Sequence, residues 1–289
     1  IESLNLQILT LKDPDYPELL RQIYDAPLVL YLNGNIELLR CKKIAIVGTR
    51  KYSSYGAELT RKLVTDLTQA NLTIVSGLAR GIDQIAHQAA LDQGGKTIAV
   101  LGSAVDQIYP VMNRRLARKM VESGRGLILS EFPLGMKPEK YTFPMRNRII
   151  SGLSLATLVT EAGEKSGALI TAKMAADQGR EVFAVPGNIL HSGSHGTHEL
   201  IKSGAKLVTC AQDILEELSL AYQSARLPEL KFENPLEERI YNLLLLESLY
   251  GDQIKKELGI NIELLNSTLT MMELKGYIRN LGDKSYVAN

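Results

Sequence analysis

Ile44-Ala-Ile-Val-Gly-Thr-Arg50 is a short apolar run that ends on a glycine, a hydroxyl group and an arginine. The polar stretch Tyr52-Ser-Ser-Tyr-Gly56 follows it, and residues 57–69 then form an amphipathic segment. A continuous aliphatic run of this length is typical of a strand that is buried on both faces of a parallel sheet. The stretch therefore predicts a strand, a polar loop and a helix, which is the repeating unit of an α/β fold.

The same unit recurs along most of the chain. Further apolar runs of strand length occur at residues 72–75, 97–101, 126–129, 156–160, 181–185 and 206–209. Amphipathic segments lie between them, including residues 83–92, 114–122 and 169–178. This alternation predicts an α/β fold with an extended, Rossmann-like, doubly wound and mostly parallel sheet. Ligands of such sheets bind beyond the carboxyl ends of the strands, so the loops that follow the strands are expected to meet on one face.

The sequence divides into four predicted parts. Residues 1–40 form an N-terminal segment, with a strand at 28–32, that is expected to pack on the core, and residues 41–218 form the Rossmann-like domain. Residues 219–234 lack periodicity and are predicted to be a linker. Residues 235–289 predict three short helices and a hairpin, which is the pattern of a small winged-helix domain.

The charge of the predicted winged-helix domain argues against a primary role in reading DNA. From Lys231 to Asn289 there are seven Lys or Arg residues against nine Asp or Glu residues, whereas DNA-reading domains are usually basic. We therefore expect this domain to contact a protein or to have a weak auxiliary role.

The composition is that of a globular protein and excludes several classes. The chain has 289 residues, and its 33 Lys and Arg residues against 32 Asp and Glu residues leave a net charge of +1. Any binding of nucleic acid must therefore come from a local basic patch. No apolar run approaches the roughly 20 residues of a membrane span, and Cys41 and Cys210 are far apart in the sequence. We expect no signal peptide. We expect a cytoplasmic protein with reduced thiols and no membrane contact.

A second informative stretch is Phe143-Pro-Met-Arg-Asn-Arg-Ile-Ile-Ser-Gly152, which we interpret as a loop that runs into an apolar helix. The guanidinium groups of Arg146 and Arg148 and the amide of Asn147 suit a phosphate at a helix entrance. The alternative is that both arginines pair with carboxylates inside the fold. The expected partners are then two acidic residues at predicted strand ends, Glu131 and Glu161.

Three other predicted loops, at residues 48–56, 76–83 and 161–171, also contain groups that suit an anion. Each combines glycine, which lets the backbone approach a ligand closely, with hydroxyl groups and basic side chains. The alternative for each is an ordinary turn or helix cap between a strand and a helix. Because all three follow strands, the sequence favours one shared site for a polyanion.

Metal and cofactor sites are not predicted. Loop 186–198 holds three of the four histidines without a nearby cysteine, and Asp83 and His87 are only two ligands, one helical turn apart. A local hydrogen bond is the preferred interpretation of that pair. No G-x-G-x-x-G, P-loop or common hydrolase motif occurs, so neither a nucleotide cofactor nor a catalytic residue is expected.

These motifs, in this order and spacing, resemble the DNA-processing protein A family (DprA, also called Smf) over about residues 10–215. The resemblance is carried by Val47-Gly-Thr-Arg50, Ser76-Gly-Leu-Ala-Arg-Gly-Ile-Asp83, Phe143-Pro with Arg146-Asn-Arg-Ile-Ile-Ser-Gly152, Ser166-Gly-Ala-Leu-Ile-Thr171 and Pro186-Gly187. It implies an extended Rossmann-like domain, a homodimer and often a winged-helix tail. It also implies binding of single-stranded DNA and loading of the RecA recombinase during natural transformation.

The chain departs from the family pattern in two places. We expect a helical N-terminal domain of many members to be missing or nearly so, and Val111 follows Tyr109-Pro110 where, in the family, a basic residue often stands. Arg114 and Arg115, in a basic run that is otherwise a solvated helix face, are possible auxiliary substitutes.

The favoured hypothesis is a non-enzymatic protein that binds single-stranded DNA, protects incoming strands and loads RecA. Bases are expected to stack on Tyr52, Tyr55 or Phe143. The resemblance to the family implies that Arg50 and residues 143–148 bind the DNA strand. The complete predicted set is Arg50, Lys51, Ser53, Arg80, Phe143, Arg146, Asn147, Arg148, Lys165 and Ser166.

Two other hypotheses remain open. Ser194-His-Gly-Thr-His-Glu199 is similar to the second half of the Pro-Gly-Gly-x-Gly-Thr-x-x-Glu signature of nucleotide phosphoribohydrolases, although the glycine pair is absent. That similarity would make the chain an enzyme. The third hypothesis is an interaction hub, in which the sheet is a scaffold and the C-terminal domain a docking module.

Overall fold

A computed structural model describes residues 6–220, 232, 234–246, 248–282 and 285–288 of the chain. The chain folds into two compact units, residues 1–223 and residues 224–289. Most of the predicted linker, residues 219–234, lies outside the described residues. In the described part of the chain, no helix combines the length and apolar character needed to cross a membrane.

A nine-stranded sheet forms the first unit, in the order β1-β2-β6-β5-β4-β3-β7-β8-β9. Two antiparallel strands stand at one edge, β1 (Gln7–Thr10) and β2 (Val29–Gly34). The other strands run parallel to one another, namely β3 (Lys43–Val47), β4 (Thr73–Ser76), β5 (Thr97–Val100), β6 (Gly126–Ser130), β7 (Ala156–Val159), β8 (Glu181–Ala184) and β9 (Lys206–Leu207). The mostly parallel sheet predicted from the sequence is confirmed.

Helices cover both faces of this sheet. They are α1 (Glu18–Arg21), α2 (Ser54–Gln69), α3 (Ile82–Asp92), α4 (Arg114–Glu122), α5 (Thr142–Gly152), α6 (Gly167–Asp177), α7 (His195–Lys202) and α8 (Ala211–Glu217). Ala45 and Val47 of β3 pack in a core shared with α5 and α6. Ile44 and Ile46 point the other way, into a core shared with α2, α3 and α8. Because successive strand residues face opposite layers, the continuous apolar run of β3 is buried on both sides.

The order of the strands places a topological switch point between β3 and β7. From β3 the chain proceeds outward to β4, β5 and β6, and it then returns through α5 to the other side of β3. Two loops that diverge from neighbouring strand ends leave a crevice between them, which is where ligands bind in open α/β sheets.

Two local features differ from the sequence-based expectations. Strand β1 is absent from those expectations, because its short sequence lacks clear alternation of apolar and polar residues. The interpretation of residues 143–148 as a loop is wrong, because helix α5 begins at Thr142 and contains them all. Pro144 lies in the first helical turn, where the missing N–H group breaks no intrahelical hydrogen bond.

The second unit contains three helices and a small antiparallel sheet. The helices are α9 (Pro235–Leu246), α10 (Gly251–Leu258) and α11 (Ile262–Leu274). The sheet has the order β10-β12-β11, formed by Leu249–Tyr250, Ser285–Ala288 and Ile278–Gly282 respectively. The helices and the β11–β12 hairpin together give the winged-helix arrangement. The sequence predicts a turn at Gly282-Asp283 in this hairpin, and Asp283 lies outside the described residues.

Candidate nucleic-acid-binding groove

A groove of about 610 Å³ opens at the switch point between β3 and β7. Its walls come from the loop after β3, the segment that leads into α5 and the first turn of α6. The residues that line it include Arg50, Lys51, Asp83, Tyr109, Lys140, Phe143, Arg146, Asn147, Ile150, Lys165, Ser166 and Ile170. Loops that are far apart in sequence therefore meet on one face, as the order of the strands requires.

Four exposed basic side chains surround this groove: Arg50, Lys51, Lys140 and Lys165. None of the four forms a salt bridge with any described residue. Other exposed cations of the first unit, such as Arg61 and Lys173, also form no salt bridge with a described residue, but they do not line the groove. The groove therefore concentrates uncompensated positive charge, although the net charge of the whole chain is only +1.

Aromatic residues form one wall of the groove. The guanidinium carbon of Arg50 lies 5.9 Å from the ring centroid of Phe143, within the range of a cation–π contact. The ring of Tyr109 lies 5.6 Å from that of Phe143, centroid to centroid, at an interplanar angle of 45°. These three side chains form a contiguous cluster, which we call the aromatic wall.

Arg146 forms the floor of the groove and is almost completely buried. Its Nη1 atom donates to the carbonyl oxygens of Gly77, at 2.6 Å, and of Val100, and its Nε atom donates to Oδ1 of Asn147 at 3.2 Å. A Cβ atom on Gly77 would collide with Nη1, so only glycine fits beside the guanidinium group. Burial lowers the pKa of Arg146 to about 10, which leaves the group charged at neutral pH.

Asp83, which also lines the groove, holds the loop after β4 as well. Its Oδ2 atom accepts hydrogen bonds from the backbone N–H groups of Gly77 at 3.1 Å and Ala79 at 3.3 Å. Asn113 donates from Nδ2 to the carbonyl oxygen of Leu78 at 2.8 Å. Burial raises the pKa of Asp83, and the charge of Arg146 opposes that rise. The loop is thus fixed before any ligand arrives, which lowers the entropic cost of binding.

Asp83 and His87 do not bond to each other. The Nδ1 atom of His87 lies 2.6 Å from Oγ1 of Thr97, and burial lowers the pKa of His87 to about 3. The imidazole is therefore neutral, and it has a structural role in the interior of the fold. Among the described residues, no cluster of three or more His, Cys, Asp or Glu side chains could hold a metal ion.

Ser53 has a structural role in the fold and is not part of the groove. Its backbone N–H and its hydroxyl group lie 3.0 Å and 3.1 Å from Oε2 of the buried Glu161, and its Oγ atom also accepts from Gly56 N at the start of α2. The carboxylate of Glu161 therefore occupies the anion position at this helix N-terminus. The expectation that Glu161 holds an arginine is wrong.

Replacing Ser53 by alanine is expected to lower the free energy of unfolding by about 1 kcal/mol, because α2 loses its N-cap. The affinity for single-stranded DNA is expected to stay unchanged, since Ser53 does not line the groove. Urea unfolding and fluorescence anisotropy measure the two quantities. Reduced affinity at unchanged stability would instead show that Ser53 contacts the strand.

Arg148 lies on the opposite side of α5 from the groove. Its two terminal nitrogens donate to the carboxylate oxygens of Glu131 at 2.7 Å and 2.6 Å, and its Nε atom lies 2.8 Å from Oδ2 of Asp25. For Arg148 the structure thus supports the alternative of internal ion pairing. The bridge ties α5 to the N-terminal segment, so we remove Arg148 from the set proposed to contact DNA.

The remaining predicted residues separate into two groups. Arg80, Arg114 and Arg115 are exposed but do not line the groove. Ser166 caps α6 by accepting from the N–H group of Ala168 at 3.3 Å, and it lines the groove beside Lys165. Lys140 also lines the groove, although it is not among the residues predicted from the sequence. Its one signal is its position three residues before Phe143, which becomes meaningful only once the start of α5 is known.

Comparison with known proteins places these features in context. A family model described as DNA recombination-mediator protein A matches residues 7–219. DNA processing protein DprA of Streptococcus pneumoniae is 50% identical over 205 residues, which are 71% of this chain and 72% of that protein. Protein Smf of Escherichia coli is 45% identical over 236 residues, which are 81% of this chain but only 63% of that protein.

A solved structure shares the fold of the first unit. DNA processing protein A of Helicobacter pylori, whose structure concerns a single-stranded DNA binding mode, aligns with a TM-score of 0.66 and 32% identity. The alignment covers 74% of this chain and 97% of that one.

Proposed function

The chain belongs to the DNA recombination-mediator protein A family, and on this premise we propose that its groove binds single-stranded DNA. The observation that carries the proposal is the set of four exposed basic residues around the switch-point groove, which have no carboxylate partners among the described residues. Their charges come from separate loops and surround one volume, which suits a flexible polyanion. The single-stranded DNA binding of the H. pylori relative supports the same assignment.

The geometry favours a single strand over a duplex. A single strand exposes both its phosphates and the faces of its bases, and the groove offers basic groups next to an aromatic wall. A duplex hides its base faces and would offer only its phosphates to the same site. Binding is therefore expected to tolerate changes of sequence, and to weaken with salt as counterions return to the strand.

We further propose that the protein protects incoming strands and loads the RecA recombinase onto them. In this proposal it acts as a homodimer in the cytoplasm, so that two grooves hold one strand at two points. Two linked sites raise the overall affinity without new contacts, because the second binding event becomes intramolecular. The groove lies in the part of the chain that matches the family model, which supports this role.

No observation favours the nucleotide phosphoribohydrolase hypothesis. Glu199, the acidic residue of the partial signature, is exposed, and Oε1 of its carboxylate lies 2.8 Å from Nζ of Lys202. It does not line the groove. We therefore propose a binding function without catalysis, and we expect no release of free base from nucleoside monophosphates.

A RecA loading assay tests the mediator role. Single-stranded DNA is first covered with a single-strand-binding protein, and ATP hydrolysis by RecA is then followed with and without this protein. We expect the protein to shorten the lag before hydrolysis begins. An unchanged lag, at protein concentrations that saturate the strand, would contradict the mediator role while leaving strand binding intact.

A further inference from the structure

We propose that helix α4 and the loop after β4 carry a second contact for the bound strand, which holds the sugar-phosphate backbone of a segment that leaves the groove. The contact consists of Arg80, Arg114, Arg115 and Arg118, and we call it the arginine face. This inference rests on the proposed function and extends it, because none of these four residues lines the groove.

Helix α4 is strongly amphipathic and presents its arginines to solvent. Its apolar side packs in a core shared with β5 and β6, and the residues buried there are Leu116, Ala117 and Met120. Arg114, Arg115 and Arg118 are all exposed. Residues three and four positions apart lie side by side on a helix, so Arg118 is next to both of the other arginines. The three guanidinium groups therefore form one positively charged surface.

The buried side chain of Asn113 joins this surface to Arg80 and to the rim of the groove. Its Nδ2 atom donates to the carbonyl oxygens of Leu78 at 2.8 Å and Ala79 at 3.3 Å, which are the two residues before Arg80. Arg114 follows Asn113 directly, so the exposed Arg80 and the start of α4 flank the same contact. Ala79 itself lines the groove. The arginine face therefore begins where the groove ends.

The charge of the arginine face has no ion-pair partner among the described residues. None of its four arginines forms a salt bridge with a described residue, and neither does the exposed Glu122, one turn after Arg118. Like charges one turn apart on a helix repel each other. Two of the arginines also stand in the first turn of α4, which has no acidic residue, although the helix dipole favours acidic groups there. A bound anion would relieve both unfavourable interactions.

The chemistry of this surface suits phosphates rather than bases. Helix α4 contains no aromatic residue on which a base could stack, whereas guanidinium groups donate in pairs to phosphate oxygens. A strand that fills the groove must leave it, and the arginine face adjoins its rim. Binding of this flanking segment is intramolecular once the groove is occupied, so it raises the affinity for long strands. The expected ligand is therefore the backbone of the same single strand.

The length of the oligonucleotide separates the two contacts. A strand of about 8 nucleotides is expected to occupy the groove alone, and one of about 20 nucleotides is expected to reach the arginine face as well. Replacing Arg114, Arg115 and Arg118 together by glutamine should weaken binding of the long strand about 10- to 100-fold at about 50 mM salt. The slope of log affinity against log salt should fall by about 1.4, which is two phosphates at about 0.7 each. Affinity for the short strand should stay nearly unchanged in anisotropy titrations.

Lys119→Gln is the matched control on the same helix. Lys119 is exposed like the arginines, but its Nζ atom lies 3.0 Å from Oδ1 of Asp92, so its charge is already paired. We expect this variant to bind both strands as the wild type does, whereas Arg118→Gln alone should weaken binding of the long strand. Urea unfolding should give wild-type stability or slightly more for the triple variant, because like charges are removed from an exposed helix face.

The outcomes separate the arginine face from the proposed function. If the triple variant binds the long strand as tightly as the wild type does, the arginine face is not a strand contact, while binding in the groove stands. Equal losses for the short and the long strand would also overturn the proposal, because the arginines would then act through net charge. A loss of affinity for duplex DNA alone would assign the face to another ligand. If the wild type binds neither strand at low salt, the proposed function fails, and the arginine face fails with it.

Discussion

Replacing Arg50, Lys140 and Lys165 together by glutamine is expected to weaken binding of single-stranded DNA about 100-fold at about 50 mM salt. Each of these side chains comes from a different segment and reaches the same groove. Each neutralised phosphate contributes about 0.7 to the slope of log affinity against log salt, so the slope should fall by about 2. Anisotropy titrations at several salt concentrations measure both quantities.

A matched variant separates local charge from net charge. Arg61, Lys62 and Lys173 lie on α2 and α6 and do not line the groove. Replacing these three by glutamine also changes the balance of 33 basic against 32 acidic residues to 30 against 32, from +1 to −2. We expect this variant to retain nearly full affinity. Equal losses in the two variants would mean that the whole surface, rather than the groove, attracts the strand.

Replacing Arg146 by methionine is expected to lower the free energy of unfolding by about 2 to 4 kcal/mol, because two buried carbonyl groups lose their charged donor. Those carbonyls belong to Gly77 and Val100. The loop after β4 should loosen, and affinity for single-stranded DNA should fall with it. Urea unfolding and anisotropy, both at a temperature where the variant is folded, test the two effects.

Arg146→Lys keeps the positive charge but cannot reproduce the planar fork of donors. We expect its stability and affinity to lie between those of the wild type and those of Arg146→Met. If Arg146→Met were as stable as the wild type, the guanidinium group would not be the group that organises the floor of the groove. If Arg146→Lys restored affinity without restoring stability, the charge alone would matter to the strand.

The fold is largely predictable because its determinants are local. The apolar run of β3 has the pattern of a buried strand, and the glycine-containing loops after the strands mark their carboxyl ends. Those two patterns also predict where the groove lies. Strand β1 escapes prediction because an edge strand of Gln7–Thr10 obtains its stability from pairing with β2, which is a non-local contact.

The assignment of individual site residues depends on contacts that sequence patterns do not contain. Glu161 lies 108 residues from Ser53, yet its carboxylate fills the anion position of the β3 loop. The sequence presents Arg146 and Arg148 as a pair, although side chains two positions apart on a helix point to different sides. Only when α5 is known to begin at Thr142 can the role of Arg146 at the floor of the groove be distinguished from that of Arg148 in the internal ion pair.

Competition between single and double strands is the most direct measurement of whether the groove is a single-strand site. A labelled single-stranded oligonucleotide is titrated with the wild-type protein at low and at high salt, and unlabelled single-stranded or duplex DNA is then added. We predict tight binding at low salt that weakens as the salt concentration rises. Unlabelled single strands should displace the labelled oligonucleotide from the protein, and duplex DNA should not. Absence of binding at low salt, or equally effective competition by duplex, would contradict the assignment.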